Sequence, residues 1–206
     1  MYGEENIDHT DVALLIRRLP NLTNLGCYSF VGKALYYLYN NDCPSGFKRS
    51  FNFTRIAETC QNLESLEFYS IQTATHEEEI PFNKLEHIEI IQGNLSTPCL
   101  KYLMTSSPKL KKLIIGDEIK LDDQDMARMF RRYKFDNLEA IWFPNAPRLT
   151  QDTVELLMET CPNLRSLGQL SGWRYTPDDM MLMRAIIVST NTDLVLLPLG
   201  IFQQGN

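Results

Sequence analysis

One hydrophobic spacing recurs along this 206-residue chain and constrains its fold more than any other feature. An apolar residue, a second one five positions later and a third eight positions later precede a Leu-x-x-Leu/Ile block, as in Leu149, Val154 and Leu157 before Leu164. The blocks begin at Leu22, Leu63, Leu85, Leu110, Leu138, Leu164 and Leu194. Self-similarity at a period of roughly 20 to 30 residues predicts a solenoid of stacked repeats.

The two halves of each repeat predict different secondary structures. The blocks carry apolar residues at alternate positions, which is typical of half-buried strands. The preceding segments carry apolar residues three or four apart, which indicates one buried helical stripe. Thr97 and Thr176 each precede a proline, so we expect them to cap their helices, as we expect of Asp122 and Thr150.

Alternating helices and strands joined by short connections predict parallel strands with right-handed crossovers. We therefore predict an α/β fold: one domain over residues 1–206, built as a right-handed leucine-rich-repeat solenoid with a horseshoe arc. About seven parallel strands would line the concave face, with helices on the convex face. Two irregular segments are expected, a polar insertion near residues 40–52 and an acidic loop near residues 73–81.

Composition restricts the class of partner and the compartment. The net charge of −6 argues against nucleic acid as the main partner, because phosphate binding needs a basic surface. Residues 1–6 are acidic and lack the apolar run of a signal peptide, so none is expected, and no apolar run approaches the roughly 20 residues that a membrane span needs. Five cysteines without a C-x-x-C pair fit reduced thiols, so we expect a cytoplasmic or nuclear protein.

Residues 148–167 carry a family resemblance. They read RLTQDTVELLMETCPNLRSL, which resembles the cysteine-containing leucine-rich repeat: leucine, threonine, an acidic residue, an apolar helix, then Cys-Pro-x-Leu-x-x-Leu. Residues 59–66 resemble its second half. This repeat is typical of F-box/LRR proteins, the substrate-receptor subunits of SCF ubiquitin ligases. The resemblance implies an intracellular protein-binding module, with ubiquitin ligase substrate recognition as its role.

The resemblance does not extend to the F-box itself. A predicted repeat helix already begins at Asp11, and no F-box-like helical segment comes before it. Two readings stay open: the protein lacks ligase docking, or this chain is the repeat portion of a longer product. A different function for such repeats is regulation of an enzyme, as in a GTPase-activating protein, although no loop arginine suited to that role stands out.

The sequence predicts a protein that is not an enzyme. Catalysis needs a nucleophile, a base and a stabilising group brought together, and the histidines His9, His76 and His87 are scattered. Cys43 and His87 would be the candidates in an enzyme reading. Metal-ligand spacing and a glycine-rich phosphate loop are both missing, so we expect no metal and no cofactor.

A partner-binding surface is predicted on the concave face. In each strand the second and fourth positions after the first leucine point away from the core. The candidate partner-binding residues at these positions are Glu67, His87, Glu89, Lys112, Ile114 and Trp142. The hypothesis is that a protein segment docks an apolar side chain near Trp142 and a basic group facing Glu67 and Glu89. The alternative is that Trp142 leans over the sheet and only covers it.

The C-terminal block predicts a second contact. Residues 194–202 are almost entirely apolar, and a solenoid end without a polar cap invites edge pairing. We therefore expect self-association, or capping by a partner, at an exposed C-terminal edge.

Overall fold

Seven short strands form one parallel sheet in which each strand neighbours the next one along the chain. They are β1 (Asn24–Tyr28), β2 (Ser65–Tyr69), β3 (His87–Ile91), β4 (Lys112–Ile115), β5 (Ala140–Trp142), β6 (Ser166–Gly168) and β7 (Val195–Leu197). The computed structural model describes residues 21–28, 53–69, 80–91, 95–168, 170–189 and 193–197. Within these ranges the predicted α/β fold with seven parallel strands is confirmed.

The inward-facing residues of successive strands lie side by side. Leu66 pairs with Ile88, Ile88 with Leu113, Leu113 with Ile141, and Ile141 with Leu167. All five side chains are fully buried. The alternation of buried and half-buried residues along β3, β4 and β5 fixes this register, because a slip of one residue would turn every side chain to the other face.

Strand entry is held by the same hydrogen bonds from one strand to the next. The N–H groups of Glu86 and His87 both donate to the carbonyl of Glu64, at 2.9 and 3.0 Å. Those of Lys111 and Lys112 both donate to the carbonyl of Glu86, and the pattern recurs as β5 and β6 begin. The strands β2 to β6 are therefore each anchored to their predecessor by a two-donor contact, whereas β7 shows a single bond of this kind, from the N–H of Val195 to the carbonyl of Arg165.

Five α-helices and one 3-10 helix are found in the described ranges. They are α1 (Phe53–Thr59), α2 (Thr97–Thr105), α3 (Asp123–Arg132), α4 (Gln151–Thr160), the 3-10 helix (Leu170–Gly172) and α5 (Pro177–Ser189). Their buried apolar residues belong to the same cluster as the inward residues of the sheet. These helices therefore build the core on the side of the sheet that carries Leu66 and its equivalents. None of the described helices has the length and apolarity needed to cross a membrane.

The helix caps follow the sequence with one exception. The side chains of Asp122 and Thr150 cap α3 and α4, as predicted. Thr176 Oγ1 accepts from the N–H of Asp179 at 3.1 Å, and the Asp179 carboxylate accepts from the N–H of Thr176 at 2.9 Å, which makes a reciprocal capping pair. The prediction for α2 was wrong by one residue, because Ser96 is the cap and Thr97 is the first residue of the helix.

The last strand also departs from the sequence pattern. The block at Leu194 predicts Leu196 on the outward side, but Leu196 pairs with Leu167 and is buried. Val195 instead faces outward, with 54% of its surface exposed. Three further predictions lie outside the described residues: the helix from Asp11, the insertion near 40–52 and the loop near 73–81, of which only residues 80 and 81 are described.

Candidate functional site

The six predicted partner-binding residues lie on one face of the sheet, in two neighbouring rows. One row runs across four strands and joins Glu67, Glu89, Ile114 and Trp142 in direct register. The other places His87 opposite Lys112. All six side chains are half-buried. We call these six residues the sheet surface. The strands β2 to β5 bring all of them together, although they span 76 positions of sequence (142 − 67 + 1).

The acidic end of the sheet surface consists of two carboxylates on adjacent strands. Glu67 and Glu89 are direct cross-strand partners. Ser65 Oγ donates a hydrogen bond to Glu67 Oε1 at 3.2 Å, and His87 Nε2 lies 3.5 Å from Glu89 Oε2. Like charges placed directly opposite each other are destabilising, by an amount within the range of about 0.2–1 kcal/mol for such pairs. The pair gives this end of the sheet surface its acidic character.

His87 contributes an incompletely satisfied polar atom. Its Nε2 is shielded from solvent and makes no hydrogen bond within the described part of the chain. The 3.5 Å separation from Glu89 is an ion-pair distance only, since the geometry of a hydrogen bond is not met. Leaving such an atom unbonded costs about 1–3 kcal/mol. The contact still places the imidazole against Glu89 and limits the directions that the carboxylate can take.

Trp142 lies flat against the next strand instead of standing out from the sheet. Its Nε1 donates to Ser166 Oγ at 3.3 Å. A Cβ added at Gly168 would lie 2.9 Å from three atoms of the indole, so one face of the ring covers this glycine. The indole therefore leans over β6, as the alternative interpretation of Trp142 predicts. Its position is fixed by a hydrogen bond and by close packing on one ring face.

Ser65, Ser166 and Gly168 are site residues that sequence reasoning missed. Each occupies an outward position of its strand, but none was singled out as functional. A signal for Gly168 was present, since it follows Trp142 in the same row and has no side chain to keep an aromatic ring away. The two serines carried no such signal, because a hydroxyl at an exposed strand position is common.

The strand entries beside the sheet surface are predominantly acidic. Glu64, Glu86 and Glu139 occupy the positions just before β2, β3 and β5, and Lys111 occupies that before β4. Lys111 Nζ bonds to Glu86 Oε2 at 2.7 Å. This hydrogen bond raises the pKa of Lys111, and the negative charges of Glu86, Glu139 and Glu64 raise it further against the opposing effect of desolvation. The negative potential of Glu67 and Glu89 therefore extends along this edge.

The described thiols are poor candidates for chemistry. The three described cysteines that are buried and form no disulfide are Cys60, Cys99 and Cys161. Burial raises the pKa of Cys161 to about 12 and also raises the pKa of Cys60, so both are held as thiols. No group of three or more potential metal ligands occurs among the described residues. His9, Cys43 and His76 lie outside them.

A second notable surface lies at the C-terminal end of the sheet. Among the described residues, the large apolar ones that are more than half exposed are Met181, Leu182, Val188 and Val195. Three of them belong to α5, whose opposite side packs Met183 and Ile187 into the core. This helix is therefore apolar on two sides.

Comparison with known proteins adds no assignment. No family model matches the chain, and no curated protein matches it.

Proposed function

We propose that this chain is a right-handed leucine-rich-repeat solenoid that binds a partner protein and carries out no reaction itself. Support for the solenoid comes from the repeating strand register and from the two-donor bonds at successive strand entries. In this arrangement the sheet surface would line the concave face of a horseshoe arc, and the helices would lie on the convex face. Such a scaffold offers a binding surface instead of a catalytic pocket.

The observation that carries the proposal is the row Glu67, Glu89, Ile114 and Trp142. The two carboxylates can pair with a basic group of a partner. Ile114 and Trp142 form an apolar area beside them on the same sheet face, where an apolar anchor of the partner can pack. Aromatic residues flanked by polar groups are typical centres of binding energy in protein interfaces. Trp142 fits this role because its ring is already ordered, so little side-chain entropy is lost on binding.

We propose further that the partner is recognised as F-box/LRR receptors recognise ubiquitin ligase substrates. This rests on the resemblance of residues 148–167. In the structure this segment forms the Thr150 cap, α4, the buried Cys161 and β6 in the order that the repeat requires. The reduced, buried cysteines suit the cytoplasm or nucleus.

The test is affinity purification with mass spectrometry, comparing the wild-type chain with a Trp142→Ala/Glu89→Ala variant. We expect specific partners to be lost from the variant, and retained by a Glu155→Ala control on the exposed side of α4. Circular dichroism and the unfolding midpoint would establish that the variant is folded. Equal recovery of the same partners by both proteins would remove the sheet surface from the proposal.

We propose secondly that two copies associate through the C-terminal end. Met181, Ala185 and Val188 follow one another on one side of α5, and their spacing places them on a single helix face. An antiparallel pair of α5 helices centred on the small Ala185 would set Met181 and Leu182 of one copy against Val188 of the other. The exposed apolar surface of α5 supports this contact.

A further inference from the structure

We infer that the partner presents an extended segment crossing β2 to β5, with the pattern Arg-x-Φ-x-Φ in either chain direction, where Φ is a large apolar residue. This inference rests on the proposed function of the sheet surface. The arginine would lie over Glu67 and Glu89, the first apolar side chain over Ile114 and the second on the ring of Trp142. Each of these placements follows from a separate feature of the surface.

The acidic end selects a guanidinium. Glu67 and Glu89 are cross-strand partners on β2 and β3. Ser65 donates a hydrogen bond to the carboxylate of Glu67, and the imidazole of His87 lies beside the carboxylate of Glu89. A planar guanidinium carries several donors in a fixed fork and can bond to two carboxylates at once. A lysine ammonium would supply the charge as a compact point without that geometry. The acidic strand entry at Glu64 adds attraction for the same cation, whereas Glu86 is already paired with Lys111.

The apolar end selects a side chain that lies on a flat ring. One face of the Trp142 indole is occupied by Gly168 and its Nε1 is bonded to Ser166, so the ring is not free to open a deep pocket. A branched aliphatic or aromatic side chain can pack on the opposite ring face. Ile114 lies one strand closer to the acidic end and extends the apolar area toward it.

The spacing follows from strand geometry. Adjacent strands are about 4.8 Å apart. The indole of Trp142 starts on β5 and reaches over β6, so its nearer part lies about two and a half strands from the midpoint of the carboxylate pair. That distance is about 12 Å, whereas an extended chain rises about 3.3 Å per residue, so about four residues separate arginine and anchor. Side chains four positions apart point to the same side of an extended segment, as does the one between them. The middle side chain then falls over β4, where Ile114 lies.

Lys112 fixes the register of the segment. It is on β4, two residues before Ile114 and directly opposite His87. A basic side chain shifted onto β4 would meet this like charge instead of the carboxylates of β2 and β3. Repulsion of the wrong register contributes to specificity as much as attraction in the right one.

The test is a selection of random 12-residue peptides displayed on phage against the immobilised chain, followed by fluorescence anisotropy of the enriched peptides in synthetic form. We expect enrichment of Arg-x-Φ-x-Φ or its reverse. For an enriched peptide, Glu67→Gln/Glu89→Gln should weaken binding about tenfold, as expected for truncating charged contacts. The matched control Glu155→Gln/Glu159→Gln on α4 should leave binding unchanged. Replacing the peptide arginine by lysine should weaken binding about threefold.

The outcomes separate this inference from the proposed function. Peptides that bind through the sheet surface, as judged by loss with Trp142→Ala, but lack the four-residue spacing overturn the inference and leave the function standing. Peptides unaffected by Trp142→Ala and by Glu67→Gln/Glu89→Gln contradict both. The inference is also overturned if no enriched peptide binds to the sheet surface. Lys112→Gln supplies an independent check, since it should let the arginine move by one strand and broaden the enriched spacings.

Discussion

The helices are packed more completely in the middle of the sheet than at its C-terminal end. In the middle, α3 and α4 are joined by Asp123, which accepts from the N–H of Thr150 at 2.9 Å, from its hydroxyl at 3.0 Å and from the buried hydroxyl of Thr153 at 2.5 Å. At the end, α5 is well capped but exposes Met181, Leu182 and Val188. The difference teaches that a repeat is covered by its neighbours: the middle repeats have a described neighbour on both sides, and the last described repeat has one described neighbour.

The largest contrast is expected from core truncation. Leu113→Ala should lower the free energy of unfolding by about 2–5 kcal/mol, because Leu113 is fully buried between Ile88 and Ile141 and the surrounding strands leave a cavity. Ile187→Ala in α5 should fall at the low end of that range, since Ile187 is 8% exposed. Urea unfolding measures both. Equal losses would show that the two regions are stabilised alike.

The polar link between α3 and α4 should come next. Asp123→Ala leaves the buried Thr153 hydroxyl without its acceptor, so we expect a loss of about 1–3 kcal/mol. Asp178→Ala, at an exposed position in the first turn of α5, is the control. A double-mutant cycle with Thr153→Val should show strong coupling. Additive effects would mean that the bond to Thr153 contributes nothing and that Asp123 acts through Thr150 or through its charge at the start of α3.

A smaller effect concerns acid stability. A hydrogen bond from Lys101 lowers the pKa of Asp125, with desolvation opposing and the charge of Lys101 adding to it. A lowered folded-state pKa means that this stabilisation is present above the unfolded pKa of about 3.9 and is lost as pH falls through the folded value. Lys101→Met should therefore cost less than about 1 kcal/mol at neutral pH.

Thermal unfolding of wild type and Lys101→Met between pH 7 and pH 2 would measure this. The difference between the two proteins should shrink as pH falls below about 4. A difference that stays constant over that range would contradict the assignment. Arg128→Gln, whose side chain is mostly exposed and 3.6 Å from Asp125, should have less effect at any pH.

The substitutions with the smallest expected effect on stability should have the clearest effect on self-association. Met181→Lys/Val188→Lys changes exposed residues, so the free energy of unfolding should move by less than about 0.5 kcal/mol per site. Light scattering after size-exclusion chromatography should show less association than for the wild type. Gln124→Lys/Ser171→Lys adds the same charge at other exposed positions and should not change association. A wild-type chain that is monomeric at high concentration would remove the C-terminal contact.

The regular part of the fold was predictable because its residues mark their own register. The blocks ending in Leu66, Leu113 and Ile141 repeat the same Leu-x-x-Leu/Ile spacing, so their inward positions align from one repeat to the next. β7 was not predictable in this way, since residues 194–197 are all apolar and nothing in the sequence distinguishes the two registers. Burial of Leu194 and Leu196 decides it.

The candidate site was predictable in position but not in conformation. The six residues of the sheet surface follow from the outward strand positions, whereas the direction of the indole depends on its side-chain rotamer and on its neighbours. Gly172 illustrates the same limit in a connection: a Cβ there would collide with the carbonyl oxygen of Pro144, a close approach between segments 28 positions apart. No local pattern announces such a contact.

The placement of Trp142 gives the protein a built-in optical reporter. The chain has two tryptophans, and Trp173 is buried with its Nε1 bonded to the carbonyl of Phe143 at 2.8 Å. The emission of Trp173 should not respond to a ligand bound on the sheet. The emission wavelength and intensity of the half-buried Trp142 should change when a ligand displaces water from its indole. Titrations of unlabelled protein can therefore be followed by intrinsic fluorescence, with collisional quenchers separating the two signals.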